Sequence, residues 1–178
     1  MDELLEELNR LWQGRHPEDT RFAKWWAAAV IKHTDARARE GHFEQIGKTL
    51  EALRDFSAKF PGNAEFAGYG SMLALNALKR AADAGEFSIA EEMFDTLQEF
   101  AQGLSGEQGS VANYAEGALA LCIAYQNRGQ MKESKRAPRA AAWALRSKAW
   151  RQRHVERGGE ESMEELLNWL DAIGATNG

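Results

Sequence analysis

Five arrangements in this chain of 178 residues bring together side chains that could do chemistry. Cys122 is the single cysteine, so no disulfide forms within the chain, and a nucleophilic thiolate needs a cation or a base beside it. Its surroundings, the apolar run Ala118–Tyr125, supply neither, and a buried structural thiol is expected. His16, His33, His42 and His154 show no metal-ligand spacing with cysteine or carboxylate, and His33 falls on a packing face. Glu164-Glu165 lies at a helix start, where two negative charges favour the dipole; a catalytic carboxylate pair needs an enclosed cleft. Gly103-x-x-Gly106-x-x-Gly109 has glycines enough for a phosphate loop, but it joins two helical segments with no strand before it, so it reads as a connection. The fifth arrangement is basic. Lys132, Arg139, Arg146 and Arg153 recur every seven residues with Trp143 and Trp150 beside them, and arginines on phosphates with tryptophans stacked on bases would be nucleic-acid chemistry. None of these assembles a catalytic centre or a metal site, so the expectation is a protein that is not an enzyme and carries no cofactor.

The basic stretch sits in an acidic protein. From Lys132 to Arg157 the local charge is +7, within a chain of net charge −5, and from Gly158 onward there are five acids and no base. Three readings remain open. The helix expected over 138–157, with Arg139, Trp143, Arg146, Trp150, Arg151 and Arg153, could pack between the preceding helices and the acidic C-terminal segment, its charge matched by Glu160, Glu161, Glu164 and Glu165. It could instead meet an acidic protein partner. It could also bind nucleic acid, against which the overall acidity argues, because an acidic chain repels a polyanion at long range.

The elements that must hold these residues are helices. Alanine, leucine, glutamate and arginine dominate, there are only three prolines, and hydrophobic content of 44% with 28% charged residues is that of an ordinary globular domain. The start, Met1-Asp2-Glu3, is acidic where a signal peptide is basic, and the longest apolar run has eight residues, too few for a membrane span. A cytoplasmic protein without membrane contact is expected.

The sequence also repeats. Gly41-His42-Phe43 recurs as Gly85-Glu86-Phe87 and as Gly129-Gln130-Met131, each 44 residues on, and Phe22/Phe66, Trp25/Tyr69, Leu50/Phe94, Leu53/Leu97, Phe56/Phe100 and Gly62/Gly106 keep that offset. Each unit reads as two helices: about 19–40 and 43–60 in the first, with Gly41 just past a helix end, where a left-handed residue closes the turn. Pro61-Gly62 ends the second helix and Asn63 can cap the next, which stops at Gly85. Ser88 with Glu91 reads as a capping box, and the third unit opens near Ser110. The single domain 1–178 thus divides into repeats 19–62, 63–106 and 107–157, flanked by an amphipathic cap helix in 1–18 and an acidic cap helix in 158–178 that starts at the Ser162/Glu165 box.

Over about residues 19–137 these patterns resemble tetratricopeptide repeats, which carry a small residue and an aromatic in the first helix, a glycine and an aromatic at the turn, then small, aromatic and apolar positions in the second helix. Gly85, Phe87, Ala90, Phe94 and Leu97 fit that pattern, as do Leu121, Cys122, Tyr125, Gly129 and Met131; Gly41, Phe43, Ile46, Leu50 and Leu53 fit it more loosely. The period departs from the family's, about 34 residues, toward the HEAT range of about 40–47, and Pro138 falls where a large apolar residue is due, so a helix should start there. HEAT-like pairing is the rival fold.

The resemblance implies an all-α, right-handed stack of about three antiparallel helix pairs with a groove lined by first helices. Its groove positions are Ile31, Lys32 and Asp35; Met72, Leu75, Asn76, Lys79 and Asp83; and Glu116, Gln126 and Asn127. That lining suits an extended peptide or an amphipathic helix. Family members that bind chaperones grip a C-terminal carboxylate with asparagines, lysines and an arginine. The corresponding positions here are Ile31, Asp35, Asn76, Glu116 and Ala120, of which only Asn76 fits, so acidic chaperone tails are not expected ligands. The expected function is an adaptor or chaperone-like scaffold for a protein or peptide partner. The alternatives are a nucleic-acid-associated protein using the basic helix and a self-assembling scaffold.

Overall fold

The computed structural model describes residues 20–60, 63, 65–103, 108–130 and 136–156, together with Glu7, Arg10 and Asn168. These form seven helices and no strand: α1 (Thr20–Arg39), α2 (Ile46–Lys59), α3 (Glu65–Ala84), α4 (Phe87–Gly103), α5 (Gln108–Asn127), α6 (Ala137–Arg146) and α7 (Lys148–Glu156). Apart from Glu7, Arg10 and Asn168, the two terminal segments expected as caps lie outside the described residues.

Each of the first two pairs buries a stripe at helical spacing. Ile46, Leu50 and Leu53 of α2 and Ala90, Phe94 and Leu97 of α4 are all almost wholly enclosed, 44 residues apart position by position. Burying each large apolar side chain contributes about 1.5–3 kcal/mol before the entropy of ordering it. Helix α3 sits at the centre: it packs against α1, α2, α4 and α5, and 11 of its residues are buried. Helix α5 repeats that role against α3, α4, α6 and α7. The close approach of α3 and α4 depends on Gly70, whose missing side chain leaves the space that the Phe100 ring occupies. Polar seams lie among the apolar ones. Thr34 and Thr49 share a buried hydrogen bond of 3.0 Å between α1 and α2, and Asn113 donates to Ser71 Oγ at 2.8 Å between α5 and α3.

Three corners share one construction. Gly41, Gly85 and Gly129 have φ of 85°, 85° and 68°, and they are the positive-φ residues among those described. At each, the glycine N–H donates to a carbonyl three residues back (Ala38, Ala82, Gln126), and the next N–H to a carbonyl five back (Arg37, Ala81, Tyr125). Both bonds satisfy carbonyls that a helix end otherwise leaves unpaired.

Three expected boundaries need correcting. Helix α2 begins at Ile46, because residues 43–45 turn first, with the Ile46 N–H on the Phe43 carbonyl at 3.1 Å. Ser88 is not a cap: α4 has begun at Phe87, and the Ala90 N–H bonds to the Glu86 carbonyl. The helix expected over 138–157 is two helices. Pro138 does sit in a first turn, that of α6, but Ser147 interrupts the path: its carbonyl accepts from the Arg151 N–H at 3.0 Å and its hydroxyl from the Trp150 N–H at 3.5 Å, which caps α7. At the start of α3, Asn63 Oδ1 accepts the Glu65 N–H at 3.2 Å, as a capping asparagine does.

Candidate groove between α3, α5 and α7

Helices α1, α3 and α5 are tied side by side by charge pairs on their outward faces. Lys24 of α1 meets Glu65 of α3 at 2.8 Å, and Arg80 of α3 meets Asp35 of α1 at 3.2 Å, where Arg39 also reaches it at 2.6 Å. Lys79 of α3 pairs with Glu116 of α5. From α7, Arg153 donates to Asn113 Oδ1 at 2.5 Å and to the Gly109 carbonyl at 3.2 Å, with Glu116 at 4.0 Å.

These pairs frame a cavity of about 590 Å³ between α3, α5 and α7. Met72, Leu75 and Tyr69 supply its apolar surface, and Asn76, Lys79, Asn113, Glu116 and Arg153 its polar one. Met72 remains 41% exposed, unusual for a methionine on a helix otherwise so buried. The volume suits a few side chains of a peptide, with a flexible thioether to mould against them and an amide at Asn76 to hold a backbone group.

Of the groove positions implied by the resemblance, Met72, Leu75, Asn76, Lys79 and Glu116 line this cavity. Ile31 is buried, at 6% exposed, and does not line this cavity. Lys32, Asp83, Gln126 and Asn127 are exposed away from the cavity, and Asp35 is held by its two arginines. Tyr69, Asn113 and Arg153 were not assigned to the groove by sequence. The first two were legible, since Trp25, Tyr69 and Asn113 stand at one repeat position; the third required knowing that α7 turns back onto α5.

The basic residues fall on two helices. Arg139, Arg146 and Arg151 are exposed, but the break at Ser147 separates them, and Arg153 is committed to the groove wall. Lys132 lies outside the described residues. Trp150 is 5% exposed and stacks on His154 with centroids 4.6 Å apart, whereas Trp143 is 47% exposed and leans on Tyr114 at 5.3 Å. Among the described residues of this basic stretch, two adjacent open rings, which stacking on successive bases requires, are not present. Burial pushes the Cys122 thiol up to about 12, so it stays protonated and inert at neutral pH. Burial also raises the Tyr114 hydroxyl. Among the described residues no helix is long and apolar enough to cross a membrane, and no three histidine, cysteine or carboxylate side chains are grouped so as to hold a metal ion.

Compared with known protein families, curated proteins and solved structures, the chain finds no match.

Proposed function

We propose that the protein is a tetratricopeptide-like interaction module, an adaptor or chaperone-like scaffold that holds a peptide or helix of a partner against α3, α5 and α7. In this reading the helix pairs form a right-handed antiparallel stack, the terminal segments cap it, and α1, α3 and α5 line its concave side. Support comes from the three corners with one hydrogen-bond pattern at one spacing, and from α1, α3 and α5 packing in succession.

The observation that carries the function is the exposed Met72 beside Tyr69 and Asn76 in a cavity of about 590 Å³. Water covers apolar surface there that an apolar side chain of a ligand would cover at a gain of about 25 cal/mol per Å². The charged wall sets selectivity more than affinity. Because Lys79, Glu116 and Arg153 already partner one another, a ligand brings its own charge at the cost of breaking those pairs.

Selection of peptides from a displayed random library tests the reading. Selected peptides should perturb the backbone amides of 69–79 and lose at least tenfold in affinity on Met72→Glu. Peptides that bind the variant equally well, or that map to another surface, would overturn it. An acidic chaperone-tail peptide should give no heat in calorimetry at micromolar concentration.

A further inference from the structure

The corners at Gly85 and Gly41 share a backbone and differ in what fills them. At Gly85 the Phe87 ring stacks on Tyr125 with centroids 4.3 Å apart, and the Arg128 guanidinium lies 5.9 Å from the Phe87 centroid. The same guanidinium donates to the Asp83 carbonyl at 3.2 Å and comes within 2.6 Å of where a side chain on Gly85 would begin. The Tyr125 hydroxyl donates to Glu91 at 3.1 Å. Forty-four residues earlier the glycine and the phenylalanine are kept, as Gly41 and Phe43. Tyr125, Arg128 and Glu91 are replaced by Ala81, Ala84 and Gly47.

Ala81 is buried in the core, but the trimmed positions Ala84 and Gly47 border open space. A cavity of about 620 Å³ is lined by Gly41, Phe43, Gly47 and Ala84, by the apolar Ile89 and Met93, and by Glu44, Glu86 and Glu92. No atom lies within 4 Å of where a side chain on Gly41 or Gly47 would begin.

We propose that this cavity receives an arginine side chain of a partner protein, seated on Phe43 as Arg128 is seated on Phe87. The molecule contains its own template for the occupant: the same turn and ring already hold a planar cation one repeat further on. Charge agrees with shape. Three exposed glutamates line it; of these, Glu44 also meets the half-buried Arg37 at 3.8 Å and the exposed His42 at 3.7 Å, long contacts that water at the exposed Glu44 screens. Ile89 and Met93 offer apolar surface to the arginine methylenes, and the ring offers a face to the guanidinium. An ammonium group, compact and strongly hydrated, would stack less well. Nucleic acid is disfavoured by the same carboxylates. No residue of this cavity lines the one at Met72, so each binding reading can fail without the other.

The test uses the full chain and the blocked tripeptide acetyl-Leu-Arg-Leu-amide, with lysine and citrulline in place of arginine as controls, followed through backbone amide shifts. Arginine peptide should move Gly41, Phe43 and Gly47. Lysine should bind several-fold more weakly, and citrulline, which keeps the shape but loses the charge, about tenfold more weakly. Ala84→Arg should place a guanidinium on Phe43 from within, abolish those shifts and raise the melting temperature. Arg128→Ala should open a second site, read as new shifts at Gly85. Glu86→Gln with Glu92→Gln, both exposed residues that line the cavity, should weaken arginine-peptide binding several-fold, and serves if Ala84→Arg does not fold. Citrulline binding as well as arginine, or no arginine-dependent shifts at Gly41 and Gly47, would overturn the proposal. A concentration-dependent dimer in light scattering that Ala84→Arg abolishes would overturn the assignment to a separate partner, because the arginine would then come from a second copy.

Discussion

At the Gly85 corner the Tyr125 ring and the Arg128 guanidinium lie against Phe87, whereas at the Gly41 corner Phe43 borders an open cavity, although both corners turn at a φ of 85° and close with the same pair of backbone hydrogen bonds. The turn is local: it needs a glycine and two carbonyls within five residues, all supplied by the segment itself. The filling is not local. Tyr125 comes from α5 and Arg128 from the turn that follows it, some 40 residues beyond the corner they complete, so they can diverge between repeats without disturbing the first turn. Two corners with one backbone can therefore be structural in one place and receptive in another.

That contrast is most exposed to substitution at the rings. Phe87→Ala should cost about 3 kcal/mol, and Phe43→Ala about 1 kcal/mol less, the difference being the stacking and cation–π contacts that only Phe87 makes. Equal losses in urea denaturation would mean the filling adds nothing.

The glycines should separate in the same order. Gly41→Ala should cost about 1 kcal/mol for its left-handed backbone, and Gly85→Ala about 2 kcal/mol, because its new methyl must also displace Arg128. Equal midpoint shifts would show that the guanidinium moves aside freely.

Helix α5, which fills the second corner, also carries Cys122, and its thiol reports on that helix. Burial holds the folded thiol near 12 while an unfolded one titrates near ~8.5. Between those values the unfolded chain releases a proton that the folded chain keeps. The contribution is therefore complete below pH ~8 and is lost as pH rises toward 12, at up to about 1.4 kcal/mol per pH unit. Cys122→Ala should remove that part of the alkaline slope, measured by urea midpoints at pH 8 and pH 10.

The smallest effect is expected from Arg128→Ala, about 1 kcal/mol for one stacked cation and one hydrogen bond to a carbonyl. It should also speed alkylation of Cys122 by loosening the end of α5. No change in alkylation would confine the role of Arg128 to the corner itself.

How much of this could be read from the sequence follows the same division. The helices, the three left-handed glycines, the Asn63 cap and the burial of Cys122 all depend on residues close in sequence, and their types announce them. Met72 and Asn76 were reachable because a repeat carries positions across helices. The break at Ser147 was not, since alanines and arginines on both sides favour a helix and a serine interior to one is only mildly unfavourable. Nor was the burial of Ile31, which depends on how closely its neighbours pack, or the return of Arg153 onto Asn113, which depends on the path of the chain after the break.

A crystal structure of the Ala84→Arg variant puts the contrast between the two corners to its most direct test. The introduced guanidinium should lie over the Phe43 ring within about 6 Å of its centroid, against Gly41 and beside the glutamates that line the cavity. A side chain extended into solvent over an unchanged cavity would contradict the equivalence of the corners, and with it the inference that the first is built to take an arginine.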